Sequence, residues 1–257
     1  MMKDGRYIYC IIAADCDSSF GTIGVGARED LVYTIGFNGL AMVVSNYPLS
    51  ELEVNPENII AHQRVIEKVM EEYNGVLPVR FGTIATSSDE IINMLGRRGR
   101  EFSEQLNFVE NKVEINVKGL WRNMELIFKE IDQNHSAIQE IKQEIFELKD
   151  QKKKQEKIVD AGRLVQQALE EKKDEEAQAV IQEFRSVVSD FKENDTNRDS
   201  VFMNTAFMVS KGRAKEFDFL MEDLGEKYNQ RMDFICTGPL PVFNFIDLEV
   251  LPEAWEV

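Results

Sequence analysis

Residues 199–245 read DSVFMNTAFMVSKGRAKEFDFLMEDLGEKYNQRMDFICTGPLPVFNF, and this stretch decides the fold. It is a complete strand–helix–strand unit. Val201 to Ser210 is an apolar-rich run that suits a mostly buried strand. Ser210, just ahead of Lys211-Gly212-Arg213, is a helix start. Phe217, Leu220, Met221 and Leu224 then recur at helical spacing, with Lys215, Glu216, Glu222 and Asp223 on the other face. Gly225 or Asn229 supplies the stop. Met232, Phe234, Ile235 and Cys236 form a second strand. Thr237-Gly238-Pro239 is expected to end it, because proline has no N–H for a sheet ladder.

Working back from there, Val113, Ile115 and Val117 alternate with Glu114, Asn116 and Lys118, predicting a half-exposed strand over 108–119. A long helix is expected over Leu120–Leu148. Its last four apolar residues, Ile138, Ile141, Ile145 and Leu148, have coiled-coil-like spacing. The stretch KDQKKKQEK at 149–157 has no apolar residue and is where the helix projects or turns. A second helical stretch follows, from Leu164 through Phe184 to Phe191, which together with the first makes a helical hairpin. Two strand–helix–strand units in one small sheet predict a ferredoxin-like layer with an elaborated first helix.

The first half has its own core. Arg6–Ala14 reads as a buried strand. Leu31–Phe37 and Leu40–Ser45 are strands joined by Asn38-Gly39, a hairpin signal because both residues tolerate positive φ. The glycines of 21–26 do not follow the dinucleotide-binding order and read as a turn. Asn55-Pro56-Glu57 starts a helix whose apolar face is Ile59, Ile60, Val65, Ile66, Val69, Met70 and Tyr73. Pro78 marks the start of a strand in Val76–Thr83, and Ser87 or Ser88 caps a helix over 89–107. Arg97, Arg98 and Arg100 form a local basic cluster, read as a solvated face. The fold class is therefore α+β in two domains. An N-terminal α+β domain takes residues 1–107. A C-terminal ferredoxin-like domain takes 108–257, with a helical arm at about 120–193 and an acidic tail in which Trp255 can dock back.

The chain has 257 residues and a formal net charge of −16, which argues against nucleic acid or anionic membrane as a partner. No apolar stretch approaches the roughly 20 residues of a membrane span, and residues 1–5 lead straight into a strand rather than a signal segment. A cytoplasmic protein is expected. Its three cysteines, Cys10, Cys16 and Cys236, form no C-x-x-C pair and fit a reducing compartment. Cys10 and Cys236 read as inert core thiols. His62 and His135 fall in different helices, so no metal or catalytic histidine pair is apparent, and His62 reads as structural or surface. There is no nucleophile elbow, phosphate loop or zinc ligand set, so no enzyme, cofactor or metal is expected.

Two blocks carry a resemblance. One is the helix with His62-Gln63-Arg64-Val65, followed by Leu77-Pro78-Val79-Arg80-Phe81-Gly82-Thr83. The other is the strand ending before Lys211-Gly212-Arg213-x-x-Glu216-Phe217, then a helix and a strand closing on Thr237-Gly238-Pro239-x-Pro241-x-x-x-Phe245. Together they resemble the gas vesicle protein F/L family. In that family Trp-Pro-Pro-Tyr-Ser-Phe usually follows Thr-Gly-Pro; here Leu240 stands in place of the tryptophan. The resemblance implies the same two-domain architecture and a minor structural protein of gas vesicles. Such a protein acts without catalysis, binding the small apolar shell protein and other accessory proteins during nucleation. It makes Pro78, Arg80, Phe81, Gly82, Lys211, Gly212, Arg213, Gly238, Pro239 and Pro241 the candidate partner-binding positions. For Arg80 itself, an intramolecular ion pair on an acidic protein is the first reading and a partner contact the second. Two other readings stay open: a small-molecule-binding regulatory module of ferredoxin-like fold, and an enzyme using Asp15 or Asp17 near Cys16.

Overall fold

The computed structural model describes residues 4–246 except Cys16, Ala27, Glu29 and Glu51. Expectations placed on Cys16 and Trp255 lie outside the described residues. By contacts the chain falls into two units. Among the described residues, the first comprises 4–114, 210–212 and 238–246, the second 115–209 and 213–237. This division groups 108–114 and 238–246 with the first unit, whereas the sequence reading put them in a C-terminal domain that begins at 108.

The first unit is built on β1 (Asp4–Ala13), the inner strand of a sheet ordered β2 (Ser19–Gly21), β3 (Val32–Phe37), β4 (Leu40–Pro48), β1, β5 (Val76–Pro78). A short strand, β6 (Ile84–Ala85), also pairs with β1. Asn38 and Gly39 take φ of 51° and 80°, the positive values that the β3–β4 turn requires. The β1–β4 register shifts between Ile8 and Cys10, a bulge that reverses which side chains face which way. Tyr7 and Tyr9 before it, and Cys10 and Ile12 after it, all enter one apolar cluster with Val65, Ile66 and Val69 of α1 (Pro56–Glu72). The alternate residues Ile8 and Ile11 are also fully buried. Helix α2 (Ser88–Val109), capped by Ser87, packs on β1, β3, β4 and β5 through an inward face that includes Ile91, Leu95 and Phe102. Two features of this half differ from expectation. Ile59 and Ile60 stand 44% and 54% exposed, because α1 turns His62 inward instead. Pro78 ends β5 rather than starting a strand, a place at the end of an edge strand where a missing N–H costs little.

The second sheet is ordered β10 (Met232–Leu240), β7 (Lys112–Trp121), β9 (Val201–Ser210), β8 (Val188–Glu193). With helices between β7 and β8 and between β9 and β10, this is the β-α-β-β-α-β ferredoxin-like arrangement. Strand β8 was not foreseen. The apolar pattern from Val187 to Phe191 was assigned to the arm, yet α5 (Gln151–Phe184) stops at Phe184 and the chain turns to pair with β9. The expected helix over 120–148 is two helices, α3 (Met124–Asn134) and α4 (Ser136–Glu147), broken at His135, where the backbone is extended at φ −114°, ψ 99°. The turn falls at Leu148–Asp150, with Asp150 capping α5, so most of KDQKKKQEK starts the second arm of the hairpin. Lys157–Glu144 (2.5 Å) and Lys172–Glu130 (2.9 Å) show that α3–α4 and α5 run antiparallel. Helix α6 (Ala214–Lys227) passes through Gly225, which does not stop it. Strand β10 likewise passes through Thr237-Gly238-Pro239. It lies at the sheet edge, where proline is tolerated, and Cys236 on it is exposed rather than buried. Cys10 is buried as expected, and burial pushes its thiol pKa up.

The base of the arm is fastened by charge. Arg231 forks onto Glu130 (2.7 and 2.9 Å) and reaches Glu176 (2.5 Å), while Lys172 bridges Glu130 and Glu176 (2.9 and 3.4 Å). Trp121 donates its indole N–H to Glu176 at 2.5 Å and stacks on Phe202. The hydrogen bond from Arg231 is the chief reason the Glu130 carboxyl is held down at about 2. Glu176→Ala leaves the Trp121 indole N–H without its partner and removes one of the two acids that hold Arg231 and Lys172. It is expected to lower the urea-unfolding free energy of this unit by about 2 kcal/mol, with Glu176→Gln recovering part of the loss through the indole hydrogen bond.

Candidate functional site

The two blocks of the resemblance, far apart in sequence, meet in the first unit. The Lys211 ammonium donates to the carbonyls of Met70 (3.3 Å) and Tyr73 (3.4 Å), and the Lys211 amide donates to Asn111 O at 2.8 Å. A cation thus closes the end of α1, where carbonyls lack helical partners and the dipole is negative. Lys211 also lines a shallow cleft with Met70, Asn74, Val76, Lys112, Pro241 and Val242.

The tail is held by a buried carboxylate. Glu114 is 2% exposed. It accepts the Asn244 amide N–H at 2.9 Å on one oxygen and the Asn244 side-chain amide at 2.7 Å on the other. This fixes the short 3-10 turn Phe243–Phe245, burying Val242 and Phe245 and setting Phe243 against the His62 ring at 6.4 Å. The sequence placed Glu114 on a half-exposed strand face, and its burial is a correction. A charge costs too much inside unless it is hydrogen-bonded or paired, and Asn244 supplies two hydrogen bonds to it.

His62 is the centre of the aromatic cluster. Tyr9 stacks on it, and Tyr7 and Phe81 meet it edge-on, with centroids 5.6 to 5.7 Å away. Its tautomer follows from its neighbours. Val79 O, 3.1 Å from Nε2, can only accept, so Nε2 carries the proton and Nδ1 accepts from the Tyr7 hydroxyl at 2.9 Å. The Tyr7 oxygen in turn accepts the Gly82 N–H at 3.0 Å. Burial lowers the His62 pKa to about 4 and raises that of Tyr7. The ring is neutral and has no free nitrogen, so it is a structural group.

The candidate positions are therefore dispersed. Pro78 is buried, Phe81 packs on Tyr7 and His62, and Gly82 makes a turn at φ +87°. Arg80 is exposed beside them. Lys211 and Pro241 belong to the cleft. Gly212 has open space around it, and Arg213 pairs with Glu216 and donates to Ser186 O in the second unit. Gly238 and Pro239, joined by a cis peptide, are exposed on β10. Sequence reasoning named the motif positions but missed Glu114, Asn244 and the Tyr7–His62–Val79 chain. The signal available was an acid in an apolar alternation and a histidine one turn before Val65 and Ile66. Asp15 and Asp17 line an open depression with Asn38 and Gly39, and among the described residues no group of three or more His, Cys, Asp or Glu could hold a metal.

Two outcomes test this cluster. Glu114→Ala is expected to destabilise the first unit by about 1–3 kcal/mol and to speed amide exchange at Asn244 and Phe245. For His62, the folded pKa lies below the usual 6.5, so the unfolded chain takes up the proton first as pH falls. The stability it provides is complete above pH 6.5 and is lost towards pH 4, at about 1.4 kcal/mol per pH unit. The stability difference between the protein and its His62→Gln variant, measured by denaturant titration, should shrink over that window.

The chain matches the family described as gas vesicle synthesis protein GvpL/GvpF over residues 5–247. It is 24% identical to gas vesicle protein F of Haloferax mediterranei over 97% of this chain and 96% of that one. It is 25% identical to gas vesicle protein F1 of Halobacterium salinarum over 97% and 96%. The fold matches the crystal structure of GvpF from Anabaena at a TM-score of 0.80, covering 96% of this chain and 99% of that one at 19% identity. For GvpF from Microcystis aeruginosa the TM-score is 0.77, with 95% and 99% covered at 19% identity. The motif blocks, their convergence at α1 and the match along nearly the whole chain lead to one conclusion: this chain belongs to the GvpL/GvpF family of gas vesicle synthesis proteins.

Proposed function

We propose that this gas vesicle accessory protein works by binding the small apolar shell protein, and other accessory proteins, while a vesicle nucleates in the cytoplasm. The reading rests on the family match over 5–247. One structural observation favours a protein partner: the open edge at β10. Edge strands are normally blunted by charge, proline or brevity, and on β10 Pro239 does so only next to the strand's end. Strand β8, at the other edge of the same sheet, carries Asp190, Lys192 and Glu193, and β2 in the first sheet has three residues. Strand β10 has no charge from Phe234 to Leu240, and Ile235 to Pro239 are exposed. An extended segment of an apolar subunit can add to such an edge through main-chain hydrogen bonds, while the acidic body keeps the pair dispersed. Among the described residues, no helix is long and apolar enough to cross a membrane.

Co-expression with the small shell protein, followed by co-purification at moderate salt, tests the reading. The shell protein is expected to be retained by the wild-type chain. Ile235→Lys with Thr237→Lys, both on exposed positions, should reduce retention about tenfold, a loss of about 1.4 kcal/mol. An intact fold that retains no shell protein rules out the binding role, and full retention by the lysine variant rules out β10 as its surface.

A further inference from the structure

The second unit carries two unpaired patches of opposite charge, each centred on an exposed phenylalanine. The first is the hairpin tip. Phe146 is 86% exposed at the end of α4, and Ile158 and Val159 are about half exposed on the first turns of α5. Between them residues 147–157 hold five lysines against Glu147, Asp150 and Glu156. Lys157 is paired with Glu144, but Lys149, Lys152, Lys153 and Lys154 have no ion-pair partner among the described residues. Three of them sit in the first turn of α5, where the helix dipole already opposes positive charge. The arrangement is unfavourable within the chain and locally basic on a chain of net charge −16.

The second patch is the outer face of α6. Phe219 is 65% exposed there, flanked by Asp218, Glu222, Asp223 and Glu226. Asp218, Glu222 and Glu226 repeat at i, i+4, i+8, like charges that repel along a helix face. None of the four acids has an ion-pair partner among the described residues; the ends of α6 spend their pairs elsewhere, Arg213 on Glu216 and Lys227 on Glu183.

The two patches cannot meet within one molecule. Helix α6 is fixed beside the far end of α5 by Lys227–Glu183 (2.7 Å) and by Phe217 stacked on Phe184 (4.6 Å). The helix rise of 1.5 Å per residue places Glu183 roughly 40 Å from Lys157 at the tip. We propose that the occupant of the hairpin tip is a second copy of this chain, which seats the acidic face of its α6, centred on Phe219, on the basic apolar tip around Phe146. The contact is heterologous, tip to face, so each bound copy offers a free tip and a free face for the next. It is a small charged interface, and it should be weak and steeply salt-dependent.

Sedimentation velocity on the purified full chain tests this without any other component. At low salt, the weight-average mass should rise above the 29.6 kDa monomer with increasing protein concentration. Raising salt to about 0.5 M, where the screening length is only a few ångströms, should return it to the monomer. Two variants of exposed or half-exposed residues separate the partners: Lys152→Gln with Lys153→Gln and Lys154→Gln at the tip, and Asp218→Asn with Glu222→Gln and Glu226→Gln on α6. Each alone should lose self-association while keeping its circular dichroism. Mixed, they should form a one-to-one pair and nothing longer, because one still has its face and the other its tip. A wild-type chain that stays monomeric at low salt would overturn the proposal and leave the tip to a different acidic protein. Association untouched by either variant, or a mixture that fails to pair, would overturn it equally.

Discussion

Both carboxylate oxygens of Glu114 are occupied by Asn244, one by its amide N–H and one by its side chain. A buried anion needs hydrogen bonds or a counter-charge, and these two hydrogen bonds join the start of β7 to the last described turn of the chain. From them follow the burial of Val242 and Phe245, the placement of Phe243 on the His62 ring, and the grouping of residues 238–246 with the first unit. Lys211 acts in the same region from the opposite charge, closing the carbonyl end of α1. Segments distant in sequence are thus held in one unit by a few short polar contacts around an aromatic cluster.

Polar side chains serve architecture in both units. In the first, Tyr7, His62 and the carbonyl of Val79 form a hydrogen-bond chain with no spare donor. In the second, two acids and two bases, Glu130, Glu176, Lys172 and Arg231, balance one another at the root of the arm. What is left unpaired lies outside these networks: the uncharged edge of β10, the lysines at the hairpin tip and the acids of α6.

The α+β class, the hairpin at Asn38-Gly39, the antiparallel arm and the strand–helix–strand unit at 199–245 were all legible in the sequence, because each depends on local periodicity or a turn residue's own φ preference. Strand β8 was not, since Val188 to Phe191 continues the apolar spacing of α5 closely enough to be read as helix. Only its pairing with β9 separates the two. The break at His135 was also hidden: the apolar pattern runs on across it, and no glycine or proline marks it.

The sequence by itself determined most of the element types, the acidic composition and, through two motif blocks, the resemblance to the gas vesicle family. Those are properties of neighbouring residues and of composition. Only the tertiary structure decided that β10 could carry Pro239 because it is an edge, and that Glu114 faces inward because Asn244 waits for it. It also set the tip lysines and the α6 acids at opposite ends of one rigid helix. Each of these depends on what lies opposite a residue in space, which periodicity along the chain does not encode.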